Sequence, residues 1–156
     1  MSVWDWKVIE KQASTALSKK PDDFNASRRQ AHAIGMQGNV NQAIQMLEKH
    51  MYYNAKDAKA MDMLAGFQLI AGRNEDALAT CDKALKLDAN AKYVRYNRAI
   101  ACCRCGKAEE GIRDLGVAIE ANAEYRDIAA EDADFAPLAA NARFKALLAP
   151  PAPKKE

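Results

Sequence analysis

The sequence lacks any long apolar run. Among its 156 residues, no stretch approaches the roughly eighteen consecutive apolar residues that a membrane-spanning helix needs. The first residues, Met1 to Lys7, also lack the basic-then-apolar order of a secretory signal. We therefore expect no membrane insertion and a cytoplasmic location.

The sequence also has little net charge and none of the common catalytic motifs. With 23 Lys and Arg against 21 Asp and Glu, the net charge of +2 is too small for a typical nucleic-acid-binding domain. There are only two histidines, and no His-Glu-x-x-His, Gly-x-Ser-x-Gly or phosphate-binding glycine loop occurs. We expect no enzyme activity, no catalytic residue, no cofactor, no metal and no nucleic-acid partner.

Three of the four cysteines are clustered. Without an export signal they are expected to be reduced thiols. The favoured interpretation is that they serve as small core residues. A thiol switch or a metal site is the alternative, since Cys102 and Cys105 share a helical face and Cys81 is expected to lie near Cys102. The four are Cys81, Cys102, Cys103 and Cys105.

What the sequence does contain is a repeat of thirty-four residues. Segments 24–57, 58–91 and 92–125 align without a gap, and their matching columns hold small residues or glycine. Column 8 holds Ala31, Ala65 and Ala99; column 15 holds Gly38, Gly72 and Gly106; column 20 holds Ala43, Ala77 and Gly111.

These columns predict antiparallel helix pairs. A glycine just past a helix can take the left-handed conformation that ends it, and two helices approach closely where their side chains are short. The acidic pairs Glu75-Asp76 and Glu109-Glu110 favour the positively polarised start of the next helix.

The flanking segments are expected to cover the ends of the array. Residues 3–19 form an amphipathic helix that ends before Pro21. Trp4 and Trp6 are interpreted as cover for the first helix pair, with exposure of one for a partner as the alternative. In 126–148, a helical cap presents Phe135, Leu138, Phe144, Leu147 and Leu148. Residues 149–156 are expected to be a flexible tail rich in proline and lysine.

The thirty-four-residue pattern resembles the tetratricopeptide-repeat family. Segment 3–23 resembles the second half of an incomplete repeat. The sequence departs from the family at His50, which stands in a helix-packing column and is interpreted as a partly buried, hydrogen-bonded histidine. It also departs at Arg98, which stands in a leucine column. The resemblance implies one all-α domain over 1–148, a right-handed α-solenoid of three helix-turn-helix repeats with an N-terminal half-repeat helix and C-terminal capping helices.

In this family the first helix of each pair lines a concave groove that binds extended peptides. Carried over by column, the resemblance implies a peptide-binding site formed by Asn25, Arg28, Arg29, His32, Lys59, Asp62, Met63, Tyr93, Tyr96, Asn97 and Arg104. Further groove columns hold Gly35, Met36, Gly66, Leu69, Ile70, Ile100 and Cys103.

The charges of these columns suggest a preference for acidic partners. Four are basic and one, Asp62, is acidic, and arginine binds carboxylates through two parallel hydrogen bonds. Asn97 is expected to pair with a peptide backbone. The alternative is a solvated surface of mixed charge. Met63, Tyr93 and Asn97 replace the residues that the family's carboxylate-clamp members use, which argues against capture of a terminal carboxylate.

We therefore expect a non-enzymatic protein-interaction module, an adaptor or assembly chaperone, that binds an extended and acidic segment. The alternatives are a homo-oligomerising scaffold or the thiol or metal switch.

Overall fold

The computed structural model describes residues 2–150. The expected tail of 149–156 therefore lies outside the described residues, apart from Ala149 and Pro150. Within 2–150 the regular structure is helical. The α-helices are α1 (Val3–Lys19), α2 (Phe24–Met36), α3 (Val40–Tyr53), α4 (Ala58–Ile70), α5 (Asn74–Leu87), α6 (Val94–Arg104), α7 (Ala108–Ala121), α8 (Glu124–Glu131) and α9 (Ala142–Leu148), with a 3₁₀ helix at Ala133–Leu138.

The turns within the repeats are set by the glycine column. Gly38, Gly72 and Gly106 have φ values of 97°, 75° and 75°, in the left-handed region that favours glycine. The amide of the residue after each glycine donates back across the turn, as Arg73 does to the carbonyl of Gln68 at 2.8 Å. This is the Schellman closure of a helix C-terminus. A Cβ at these glycines would meet no atom within 4 Å, so backbone conformation, not space, requires them.

The other small-residue columns let the paired helices approach closely. Ala65, Ala77 and Ala99 are fully buried. A Cβ at Gly111 of α7 would lie 2.8 Å from the Sγ of Cys103 and 2.9 Å from the carbonyl oxygen of Ala99 in α6. The α6–α7 contact therefore depends on a glycine at this position.

The charged residue in the leucine column is held by an ion network. Arg98 of α6 donates to Asp82 of α5 at 2.6 Å, to buried Asp114 of α7, and to Glu110 at 3.3 Å. Arg95 donates to the other oxygen of Asp114 at 2.7 Å. Three carboxylates from two helices, α5 and α7, thus compensate the burial of the Arg98 guanidinium.

The C-terminal segment covers the open end of the last repeat. Phe135, Leu138 and Phe144 are buried in the same core as Ile112 and Leu115 of α7. Partly buried Leu147 and Leu148 pack against that core as well. Without this cover, the apolar face of the third repeat would be exposed to water.

The N-terminal cover differs from the expectation. Trp6 packs edge-on against His32 with ring centroids 5.0 Å apart, but Trp4 is 78% exposed. The expectation that both tryptophans cap the array is therefore wrong for Trp4, because α1 turns Trp4 away from α2 while the Trp6 ring reaches it. Within residues 2–150, none of the helices combines the length and apolar character that crossing a membrane requires.

Candidate functional site

The first helices of the three pairs together line a cavity of about 390 Å³ on the concave face. It is lined by His32 and Met36 of α2, Asp62, Met63, Gly66, Phe67, Leu69 and Ile70 of α4, Asn97, Ile100 and Arg104 of α6, and Asp134 of the 3₁₀ helix. Five of the eleven site residues named from the sequence line this cavity, namely His32, Asp62, Met63, Asn97 and Arg104.

The floor of the cavity is apolar and reachable from solvent. Met36 is 45% and Ile70 67% exposed, while Met63, which also lines the cavity, is half-buried. At Gly66 no side chain fills the space, and an added Cβ would meet only the Nδ2 of Asn97, at 3.7 Å. The cavity therefore offers open apolar surface in the middle of the array.

Two arginines of the concave face are already bound to carboxylates. The Nη1 of Arg28 donates to both carboxylate oxygens of Asp57, at 2.9 and 2.8 Å, and its Nη2 donates to the Oδ1 of Asn25 at 3.0 Å. Asp57 also accepts from the amide of Ala60 at 3.0 Å and faces the Nε2 of His50 at 2.9 Å. Burial alone would raise the pKa of Asp57, but these donors hold it below its usual value.

His50 thus has the role interpreted from the sequence. It is 4% exposed and hydrogen-bonded to the N-cap residue of α4, Asp57.

Arg104 is held by the C-terminal cap. Its Nε and Nη2 donate to the two carboxylate oxygens of Asp134 at 2.7 and 2.8 Å, and its Nη1 donates to the carbonyl of Leu69 at 2.7 Å. The two parallel hydrogen bonds that we expected from arginine to a partner's carboxylate are thus made within the chain.

Tyr96 also belongs to the packing of the cap. Its hydroxyl donates to Asp132 at 2.8 Å, and its ring stacks on Tyr125 with centroids 4.7 Å apart and meets the edge of Phe135. Burial and the Asp132 carboxylate raise the pKa of the Tyr96 hydroxyl. This side chain fixes the cap to α6 and does not line the cavity.

Asp62 differs from Asp57 and Asp134 because its side chain is bonded to an amide and not to an arginine. The Nδ2 of Asn97 donates to its Oδ1 at 2.9 Å and to its backbone oxygen at 3.3 Å. Asn97 therefore has an internal partner, where we expected it to meet a peptide backbone. Burial raises the pKa of Asp62 to about 6, an effect that the Asn97 hydrogen bond partly opposes.

The remaining predicted residues lie beside the cavity. Arg29 and Lys59 are exposed and do not line it, and Tyr93 is 38% exposed at the N-cap of α6. His32 lies between Trp6 and Phe67, and burial lowers its pKa, which favours the neutral imidazole at pH 7.

Sequence reasoning missed two groups that change the electrostatics of the site. The capping role of Asp57 could have been inferred from the sequence, because Asp23 and Asp57 share a repeat column and each caps the helix that follows it. Asp134 lies after the last repeat, where no periodicity relates it to Arg104. Phe67, which closes the floor, stands in a column that the family pattern does not assign to the groove.

The cysteines are packed into or against the core. Cys81 and Cys102 are fully buried, and Cys103 and Cys105 are half-buried. Burial raises the pKa of Cys102 and of Cys103 to about 11, whereas redox-active cysteines have lowered pKa values. No cluster of three or more His, Cys, Asp or Glu side chains suited to a metal occurs in the described part of the chain. These observations favour the core interpretation.

Comparison with known proteins identifies the fold. No family model matches the sequence, and no curated protein matches it. A structure of MamA has a TM-score of 0.71 at 14% identity, covering 92% of this chain and 85% of that one. A structure of YrrB, described as a TPR protein with an unusual peptide-binding site, has a TM-score of 0.67 at 14% identity, covering 93% and 75%. Another MamA structure has a TM-score of 0.67 at 15% identity, covering 92% and 85%.

At these identities the likeness concerns the fold alone. The chain has the fold of tetratricopeptide-repeat proteins, an all-α solenoid of helix-turn-helix repeats, which confirms the fold expected from the repeat columns.

Proposed function

We propose that the protein is an interaction module, an adaptor or assembly chaperone, that binds an extended segment of a partner protein in the concave cavity of α2, α4 and α6. The observation that carries the proposal is the open apolar floor at Met36, Gly66 and Ile70. Apolar side chains on a concave surface between helices are typical of a binding site. The TPR protein YrrB, which has a similar fold, is described as having a peptide-binding site.

The preference for acidic segments that the sequence suggests depends on fewer cations than the groove columns contain. With Arg28 and Arg104 paired to Asp57 and Asp134, an acidic segment would depend on exposed Arg29 and Lys59 beside the cavity. A basic segment would instead meet Asp62 inside the cavity.

The proposal is tested by filling the cavity. In Gly66→Phe the new Cβ has room, so the ring is expected to extend into the cavity without disturbing α4. The control is Ala79→Phe, which places the same ring in an exposed position that lines a separate cavity of about 420 Å³ between α3, α4 and α5.

Short random peptides displayed on phage would be selected on the wild-type protein and retested on both variants. We expect Gly66→Phe to abolish the binding of the selected peptides and Ala79→Phe to preserve it. Selected peptides that bind Gly66→Phe as well as they bind the wild type would refute the groove as the site.

Self-association is the second candidate, and a different surface favours it. Val3, Trp4 and Val8 of α1 are 57%, 78% and 52% exposed, and Trp4 and Val8, four residues apart, share one face of the helix as an apolar patch. If this patch joins two copies, light scattering will show a concentration-dependent dimer that Trp4→Ser removes. A wild-type protein that stays monomeric at every concentration would exclude this candidate.

A further inference from the structure

One carboxylate in the cavity lacks a cationic partner in the described part of the chain. Asp62 lines the cavity and is half-buried. It accepts a hydrogen bond from the amide of Asn97, and no Lys, Arg or His within residues 2–150 lies in ion-pair distance of it, in contrast to Asp57 and Asp134. A half-buried carboxylate satisfied by one neutral amide retains unused acceptor capacity.

Arg28 and Arg104 are not available to compensate Asp62, because other carboxylates bind them. Arg28 is bound to Asp57, and Arg104 uses its Nε and Nη2 on Asp134. His32, which with Arg104 makes up the basic residues lining the cavity, has a pKa lowered by burial, which favours its uncharged form at pH 7. The cavity wall therefore carries a net negative charge at Asp62, although the sequence had suggested a positive groove.

The surroundings of Asp62 suit the side chain of lysine or arginine. Such a side chain combines an apolar stem with a charged head. Exposed Met36 and Ile70 offer apolar surface to the stem, and Asp62 with Asn97 offers an acceptor to the head.

We propose that the cavity binds an extended partner segment through a lysine or arginine whose stem packs on the Met36–Ile70 floor and whose cation pairs with Asp62. This rests on the proposed function and adds to it the chemical class of the segment. Because Asp62 is partly desolvated, the ion pair is stronger than one on an open surface.

The protonation of Asp62 supports the same assignment. With the pKa of Asp62 at about 6, the carboxylate is ionised at pH 7 and protonated near pH 5, so affinity for a cation falls in this range. Several charged or titratable groups surround Asp62. His32 of α2, Arg104 of α6 and Asp134 line the same cavity, and Tyr93, Cys81 of α5 and Tyr125 of α8 are close enough for the Asp62 charge to raise their pKa values. The Arg28–Asp57 pair lies beyond Tyr93. Since His32 also titrates below pH 7, the variant at Asp62 must separate the two effects.

The experiment compares three pools of blocked peptides, identical in their random flanking residues and differing in a fixed central Lys, Glu or Gln. An equimolar mixture is passed over immobilised wild type, Asp62→Asn, Gly66→Phe and the control Glu120→Gln, and the retained peptides are quantified by mass spectrometry. Glu120 is an exposed carboxylate near the end of α7, so its variant removes equal charge outside the cavity.

We expect the wild type to retain the Lys pool about tenfold over the Glu pool near pH 7. The preference is expected to disappear near pH 5 and in Asp62→Asn, and to persist in Glu120→Gln. Equal retention of the pools, or a preference for Glu, would overturn the basic preference and leave the groove function intact, provided Gly66→Phe still blocks binding. A Lys preference that survives in Asp62→Asn would overturn the role of Asp62. No retention by the wild type, or retention insensitive to Gly66→Phe, would overturn both proposals.

Discussion

Replacing Asp62 with asparagine should make the protein more stable at neutral pH. In the folded chain, burial raises the pKa of Asp62 from 3.8 to about 6. A difference of roughly two pKa units corresponds to about 3 kcal/mol at most, since one unit is about 1.4 kcal/mol. Asparagine has the same shape and keeps an acceptor oxygen for Asn97, so the variant loses the desolvated charge and little else. We expect a gain of about 1 to 3 kcal/mol in the free energy of unfolding.

The sign of the pH dependence follows from the direction of the shift. Between pH 3.8 and about 6 the folded state binds more protons at Asp62 than the unfolded state does. The cost of the ionised carboxylate is therefore fully present above pH 6, declines as pH falls through this window, and is absent below it. The stability of wild type and of Asp62→Asn should converge as pH falls towards about 4.

Urea denaturation followed by circular dichroism over this pH range measures the difference directly. Because the other titrating groups are common to both proteins, their contributions largely cancel in the comparison. Glu120→Gln, which removes an exposed carboxylate, should differ little from the wild type throughout. A variant at Asp62 that is no more stable than the wild type near pH 7, or whose advantage does not shrink with falling pH, would refute the reasoning.

Three further predictions concern the scaffold, each measured by the same denaturation. Asp57→Asn should have a free energy of unfolding about 1 to 3 kcal/mol lower than that of the wild type at neutral pH. Because the pKa of Asp57 in the folded wild type lies below 3.8, the two proteins should become equally stable only as pH falls below that value. A difference that persists unchanged in acid would contradict this prediction. Asp114→Ala should lose about 3 to 5 kcal/mol, since it leaves two arginines without their shared buried partner, and a loss under 1 kcal/mol would show that water replaces the carboxylate. Gly111→Ala should be destabilised by about 1 to 3 kcal/mol through overpacking, whereas Gly66→Ala, which has room, should gain up to about 1 kcal/mol; equal effects would contradict the steric argument.

The scaffold was predictable from the sequence because its determinants are local and repeated. The positive φ at Gly38, Gly72 and Gly106 is required at each position independently of distant contacts, and the regular spacing of these glycines in the sequence reveals it. The small residues of the packing columns act in the same way, since each faces the neighbouring helix of its own pair. Helix starts and ends followed from nearby prolines, glycines and acidic residues.

The electrostatics of the groove were less predictable because they depend on pairs far apart in sequence. Arg28 meets Asp57 across 29 residues and Arg104 meets Asp134 across 30. Counting charges in the groove columns treats every arginine as available, which is true of Arg29 but not of these two. The exposure of Trp4 was also not predictable from the sequence. Spacing along α1 places a residue on one face of the helix but does not show how much of that face the next helix covers.

The way these charges are distributed bears on where binding occurs. Asp57 and Asp134 stabilise the fold by pairing with Arg28 and Arg104, whereas ionised Asp62 has no such compensation among the described residues and costs stability at neutral pH. A half-buried carboxylate that destabilises the scaffold, when the neighbouring Asp57 and Asp134 are paired with arginines, is more easily understood as part of a site than of a core. If Asp62→Asn is both more stable and unable to prefer lysine peptides, the two measurements together identify this carboxylate as a binding group kept at the expense of stability. If the stable variant binds as the wild type does, the carboxylate is a packing defect and the segment must be recognised by the apolar floor alone.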